Sequence, residues 1–278
     1  MLLLALLALT AALPGTETRT GTYTPRLAEA PLGMPRFLPG TADEMMPSIF
    51  TWWNILDSLM ADFGGQARYQ TGYVREFQMR RMVELVRRPG THLYCEIGMN
   101  GGHSTVAMLE ANQNLTVHTF DTLAYNYSSV IASLLKTRYR DRITIHEGNS
   151  QVLVPAWHRA NRPACDMIFV DGDHAFRGAR KDLVNMRKLA TPDAVLIVDD
   201  IAMPPGDALK SLATSGSIAI LEEYGPYKAP HPRNPCMRAP VRAECGGNGT
   251  RPRPRRGCNP LICVPWGFAV AKYLGAGT

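Results

Sequence analysis

Five short apolar runs between residues 92 and 200 each give way to glycine or an acid, and this recurrence limits what the chain can become. They are HLYCEI (92–97), LTVHTF (115–120), ITIHE (143–147), CDMIFV (165–170) and AVLIVDD (194–200). Helical patterns separate several of them, from Ser104, around 127–139 and around 175–190. Strands alternating with helices predict an α/β fold, a parallel sheet covered on both faces. The runs end at Glu96-Ile-Gly98, Asp121, Gly148, Asp171 and Asp199-Asp200. Ligands of open α/β sheets bind beyond the carboxyl ends of the strands, so these termini define one candidate site. One acid after a strand is usually a solvated turn; five such ends argue for more.

Upstream, apolar residues from Ile49 to Phe63 recur at helical spacing, with Ser48 as the N-cap. Its Trp52-Trp53 pair packs in the core or closes over a substrate as a lid. A second helix is expected over about 74–88, ended by Pro89-Gly90. Two late runs, 217–223 and 266–274, read as strands flanking an insertion at 225–265. Residues 228–257 hold eight basic residues against Glu244, more than the whole formal net charge of +6. The basic character is therefore local, and no nucleic-acid partner is expected.

The chain starts with an apolar run from Leu2 to Leu13, followed by Pro14-Gly15. It is too short for a membrane span, which takes roughly 20 residues, and it fits a secretory signal over 1–15. Residues 16–47 read as a linker or surface arm, and 48–278 as a single domain. Sequons at Asn114, Asn126 and Asn248 agree with a secretory route, to the ER or Golgi lumen or outside the cell. Cys236, Cys245, Cys258 and Cys263 suggest two disulfides, with a zinc site as the alternative. Cys95 and Cys165 sit at apolar positions and read as buried free thiols.

Two constellations carry the chemistry. Glu96-Ile-Gly98-Met-Asn-Gly101-Gly102-His-Ser104 is a glycine-rich turn opening a helix, and Asp121 closes the next strand. Glycines admit a ligand close to backbone, the helix start offers free N–H groups to a carboxylate, and Asp121 is suited to ribose hydroxyls. The turn lacks the G-x-G-x-x-G spacing, which disfavours a dinucleotide. The second constellation is Asp171-Gly-Asp173-His174 with Asp199-Asp200. Carboxylates gathered at one edge repel unless a cation lies between them, and a hard divalent ion is the natural counter-charge. The bland alternative makes Asp173 and Asp200 caps and His174 a packed loop residue.

On these residues the chain resembles the class I S-adenosylmethionine-dependent methyltransferases. Within them it is similar to the metal-dependent O-methyltransferases, catechol and macrolide-sugar enzymes among them. E-I-G-x-x-x-G-x-S falls on Glu96, Gly98, Gly102 and Ser104; G-x-S-Q on Gly148, Ser150 and Gln151; D-G-D-H on Asp171 to His174; and D-D on Asp199 and Asp200. The resemblance implies a Rossmann-like sheet, mostly parallel with a final antiparallel strand. It implies that Glu96, Gly98, Gly102 and Ser104 serve the methionine end of S-adenosylmethionine, and Asp121 the ribose. Gly148, Asn149, Ser150 and Gln151 would border the adenine. Asp171, Asp199 and Asp200 would hold a divalent metal, usually magnesium. His174 would be the base, where catechol enzymes carry lysine, which favours a sugar or aliphatic hydroxyl over a phenol. The rivals are an NAD(P)-linked oxidoreductase and a non-catalytic secreted binding module on the same fold.

Overall fold

The computed structural model describes residues 42–62, 74–161, 163–227 and 266–275. The expected signal, most of the arm, the insertion from residue 228, its four cysteines and Asn248 lie outside these. Helices α1 (Met46–Asp62) and α2 (Glu76–Val86) precede an alternating run: β1 (Leu93–Ile97), α3 (His103–Ala111), β2 (Thr116–Asp121), α4 (Ser128–Tyr139), β3 (Ile143–Glu147), α5 (Ser150–Asn161), β4 (Cys165–Val170), α6 (Phe176–Arg187), β5 (Ala190–Val198) and α7 (Pro204–Thr214). Strands β6 (Ile218–Tyr227) and β7 (Trp266–Tyr273) follow. The described strands form one seven-stranded sheet in the order β3-β2-β1-β4-β5-β7-β6. The five from β1 to β5 pair in parallel, and β7 runs antiparallel to both β5 and β6. This is the expected architecture, and the order reverses between β1 and β4, where such sheets open a crevice.

Strand alternation sorts the two faces. Cys95 and Ile97 join the apolar core beneath α5, α6 and α7, with Leu183, Met186, Leu209 and Leu212. Tyr94 and Glu96 therefore point the other way, toward α3, where Ser104 and Thr105 donate hydrogen bonds to the Glu96 carboxylate. Helix α1 docks on α3: Trp53 Nε1 donates to the His103 carbonyl at 3.0 Å, and His103 Nε2 lies 2.8 Å from Asp57 Oδ1. Ser48 is not the N-cap expected of it. The helix starts at Met46, and the Ser48 hydroxyl donates to Glu110 Oε2 at 2.8 Å.

Two helices, α5 and α7, were not visible as patterns in the sequence. Val154 is the one buried residue of α5, and Pro155 interrupts its stripe. Helix α7 opens on Pro204-Pro205, which suit the first helical turn because their missing N–H groups would have no partner there. The free-thiol reading of Cys95 and Cys165 is corrected. They lie on the adjacent strands β1 and β4 with Cα atoms 5.9 Å apart, within bridging reach, and they form a disulfide. Among the described residues no helix is long and apolar enough to cross a membrane.

Candidate active site

A cleft of about 660 Å³ opens at the carboxyl edge of the sheet. Its floor is where β1 and β4 end together. Gly98 has φ +93°, and a Cβ there would lie 2.0 Å from the Asp171 carbonyl oxygen, so only glycine fits. The Gly98 N–H donates to the Phe120 carbonyl at 3.0 Å, and the Asp171 N–H to the Ile97 carbonyl at 3.0 Å. These bonds carry the sheet ladder one residue past the strands and leave the next side chains facing the opening.

One end of the cleft is built for a polar, uncharged group. Asp121 Oδ2 accepts the Asn100 N–H at 2.8 Å and Oδ1 accepts the Leu123 N–H at 2.7 Å. Each oxygen keeps a lone pair for a ligand hydroxyl. Asn100 itself stands at φ +47°, and its side-chain oxygen accepts the Tyr127 hydroxyl at 2.6 Å. Gly148, Asn149, Ser150 and Gln151 line the same end. Asn149 Oδ1 caps α5 by accepting the Gln151 N–H at 2.8 Å, and the Ser150 hydroxyl donates to Asp182 Oδ1 at 2.8 Å, tying α5 to α6.

Three residues expected at the cofactor do not reach the wall. Glu96 is wholly buried, and its carboxylate takes hydrogen bonds from Tyr94, Ser104 and Thr105. Burial pushes it up to about 7, against the pull of those hydroxyls. Ser104 is thus committed to Glu96. Gly102, at φ +77°, starts α3 and packs against Leu135 and Ile131. The three shape the turn from behind it. Helix α1 supplies no residue to the cleft wall, so the described structure gives no support to a lid.

The other end is acidic. Asp171, His174 and Asp200 each offer one ligand atom within 4.8 Å of the others. His174 Nε2 lies 3.2 Å from Asp200 Oδ2 and 3.9 Å from Asp171 Oδ1. Asp199 lines the cleft but stands outside this group. It is 4% exposed, and its Oδ1 accepts the Asp200 N–H at 2.8 Å. Of the expected set, Asp171 and Asp200 converge with His174, and Asp199 lines the same cleft beside them. Strand β5 ends at Val198, and Asp200 takes the left-handed φ of +54°, which aspartate tolerates better than most residues. Asp173 is a cap: its Oδ1 accepts the Ala175 N–H at 2.8 Å.

The electrostatics record crowding. Burial, then repulsion from Asp200, lifts Asp171 to about 6, while His174 and Arg75 pull it down. Burial, followed by Asp171 and Asp200, raises Asp199 well above the usual carboxylate range. The Asp171 carboxylate, then Asp200 and Asp199, raise His174 to about 9 against its burial. Carboxylates that resist ionising beside one another, with a histidine drawn in, form a site suited to a divalent cation.

Arg75, just ahead of α2, also lines the cleft and had no sequence signal, being one of 30 Lys and Arg. Asn100 was missed too. Its place in the glycine-rich turn was the available clue, because asparagine tolerates positive φ. Thr122, Tyr125, Ile97, Phe120, Gly172 and Asp173 complete the wall and follow from their neighbours in sequence.

Residues 95–201 match a family model described as a methyltransferase domain. No curated protein sequence matches the chain. Solved structures share its fold. An O-methyltransferase from Bacillus cereus in complex with SAH is 15% identical with a TM-score of 0.53, covering 87% of this chain and 94% of that one. An O-methyltransferase from Streptomyces achromogenes, involved in tomaymycin synthesis and in complex with SAM, is 14% identical with a TM-score of 0.55, covering 80% and 89%. The strand order, the glycine floor and the acid that ends β2 agree with these matches: residues 95–201 match a methyltransferase domain, and the described fold is the one these O-methyltransferases share.

Proposed function

We propose that the chain transfers a methyl group from S-adenosylmethionine to a hydroxyl of a small molecule or sugar, assisted by a divalent cation, with magnesium the expected ion. The observation that carries this reading is the convergence of Asp171, His174 and Asp200 within 4.8 Å in the same cleft as Asp121 and Gly98. Oxygen as the acceptor atom is supported by the two solved O-methyltransferases of this fold.

S-adenosylmethionine supplies an electrophilic methyl, and a cation at the acidic end lowers the pKa of a hydroxyl placed there. The chain's own residues do the rest. Asp121 holds the ribose, and Gly98 lets the ligand lie against backbone. Asn149, Ser150 and Gln151 border the adenine. Asp171 and Asp200 would hold the cation, with Asp199 Oδ1 accepting the Asp200 N–H behind them. The carboxylates that raise His174 to about 9 keep it protonated by themselves; with a cation offsetting them, its Nε2, half exposed at the mouth, would accept the proton of the acceptor hydroxyl. Alignment of oxygen, methyl and sulfur then accounts for most of the acceleration.

A second reading has a specific observation behind it: His174 Nε2 is close enough to both carboxylates to be a cation ligand itself. His174→Ala separates the two. As a base, its loss lowers kcat by about 100-fold or more and leaves magnesium affinity intact. As a ligand, its loss weakens magnesium binding measured by calorimetry. Full turnover in chelator would refute the cation in either role. The Cys95–Cys165 disulfide supports an oxidising, secretory compartment as the working location.

A further inference from the structure

The geometry points to Arg75 as the residue that selects the acceptor, by holding an oxyanion substituent such as a carboxylate, sulfate or phosphate beside the hydroxyl to be methylated. This deepens the function proposed above and rests on it. Arg75 lines the cleft on the side of Asp171, Asp199 and Asp200. Its guanidinium carbon lies over the ring of Trp266, the first residue of β7, 4.1 Å from the centroid. Its Nε is buried and has no hydrogen-bond partner among the described residues. Buried donors are almost always satisfied, so an unpaired one in a cleft-lining guanidinium marks unused hydrogen-bonding capacity at this wall.

The nearby acids are otherwise engaged. Asp171, His174 and Asp200 converge on one another, and Asp199 Oδ1 holds the Asp200 N–H. Arg75 lines the cleft beside them, and a planar guanidinium matches the two oxygens of an oxyanion better than any other side chain does. The charges also fit. Asp199, Asp200 and Asp171 balance the Arg75 charge through space, and a cation bound to those acids would offset their field and leave Arg75 free to pair with an anionic group.

Two probes test this in protein loaded with S-adenosylhomocysteine and magnesium. The first compares matched ligands by calorimetry, 4-hydroxybenzoate against its methyl ester and glucuronate against glucose. The second needs no guess at the acceptor: sodium sulfate against sodium chloride at equal ionic strength, read as Tm. The charged member of a pair should bind at least tenfold tighter, and sulfate should raise Tm saturably beyond chloride. Arg75→Met should lose both effects, and Arg75→Lys should keep part, since it retains charge without the fork. Sulfate acting alike on the wild type and Arg75→Met overturns the proposal. So does loss of S-adenosylmethionine affinity in Arg75→Met as large as the loss for sulfate, because the guanidinium would then serve the cofactor's carboxylate. Absence of S-adenosylmethionine binding in the wild type would instead strike the function itself.

Discussion

Glu96 shows how a residue can match a binding motif and yet work behind the site. Its carboxyl is buried against three hydroxyls, and burial raises it from an ordinary 4.5 to about 7. A carboxyl raised on folding binds its proton more tightly in the native state. Its contribution is therefore best below pH 4.5 and declines as pH rises toward 7, by about 3 kcal/mol in all. Urea unfolding in chelator at pH 5 and pH 8 should show lower stability at pH 8, and Glu96→Gln should shrink that difference. An unchanged difference would mean that Glu96 is not the buried titrating group. Gly98 has the opposite character, because its role is set by backbone. Gly98→Ala must move the Asp171 carbonyl, which costs at least about 2 kcal/mol and closes the floor of the cleft; the checks are a lowered Tm and lost cofactor binding. Asp171 and Asp200 could be singled out from sequence because they end strands. Asp121, Gly148 and His174 followed from the same logic. Arg75 could not be found that way, because its place depends on how the segment before α2 crosses the end of β7, a contact between residues 191 positions apart in the chain.

At the scale of elements, the strands were legible and the helices less so. Buried parallel strands are written as continuous apolar runs, and β3 and β4 have the bounds their runs suggest. Helix α5 has one buried residue and an internal proline, so its period is faint. The bond between β1 and β4 was missed for a related reason. Apolar position is a sequence property, whereas strand adjacency is topology, and β2 and β3 intervene in the chain but not between the two strands. The disulfide closes a loop of 70 residues through the middle of the sheet. Replacing both cysteines by alanine should cost about 3–5 kcal/mol, seen as a lower urea midpoint with the fold otherwise kept. Wild-type protein should lose a similar amount when refolded under reducing conditions. Equal stability in both states would contradict the assigned bond.

For the molecule as a whole, the sheet brings two groups to one edge: the Asp121 carboxylate at the end of β2, and the crowded Asp171, His174 and Asp200 after β4 and β5. The reversal of strand order between β1 and β4 places them on one cleft. Replacing Asp171 or Asp200 by asparagine should abolish cation-dependent turnover while circular dichroism and S-adenosylmethionine binding stay close to wild type. Replacing Asp121 by alanine should do the reverse, weakening the cofactor and sparing the cation. The most direct measurement is calorimetric titration of the protein with S-adenosylmethionine, with and without magnesium. One equivalent should bind, and Asp121→Ala should lower the affinity at least tenfold. No heat of binding under either condition, or equal affinity in Asp121→Ala, would contradict the assignment of this cleft to the methyl donor.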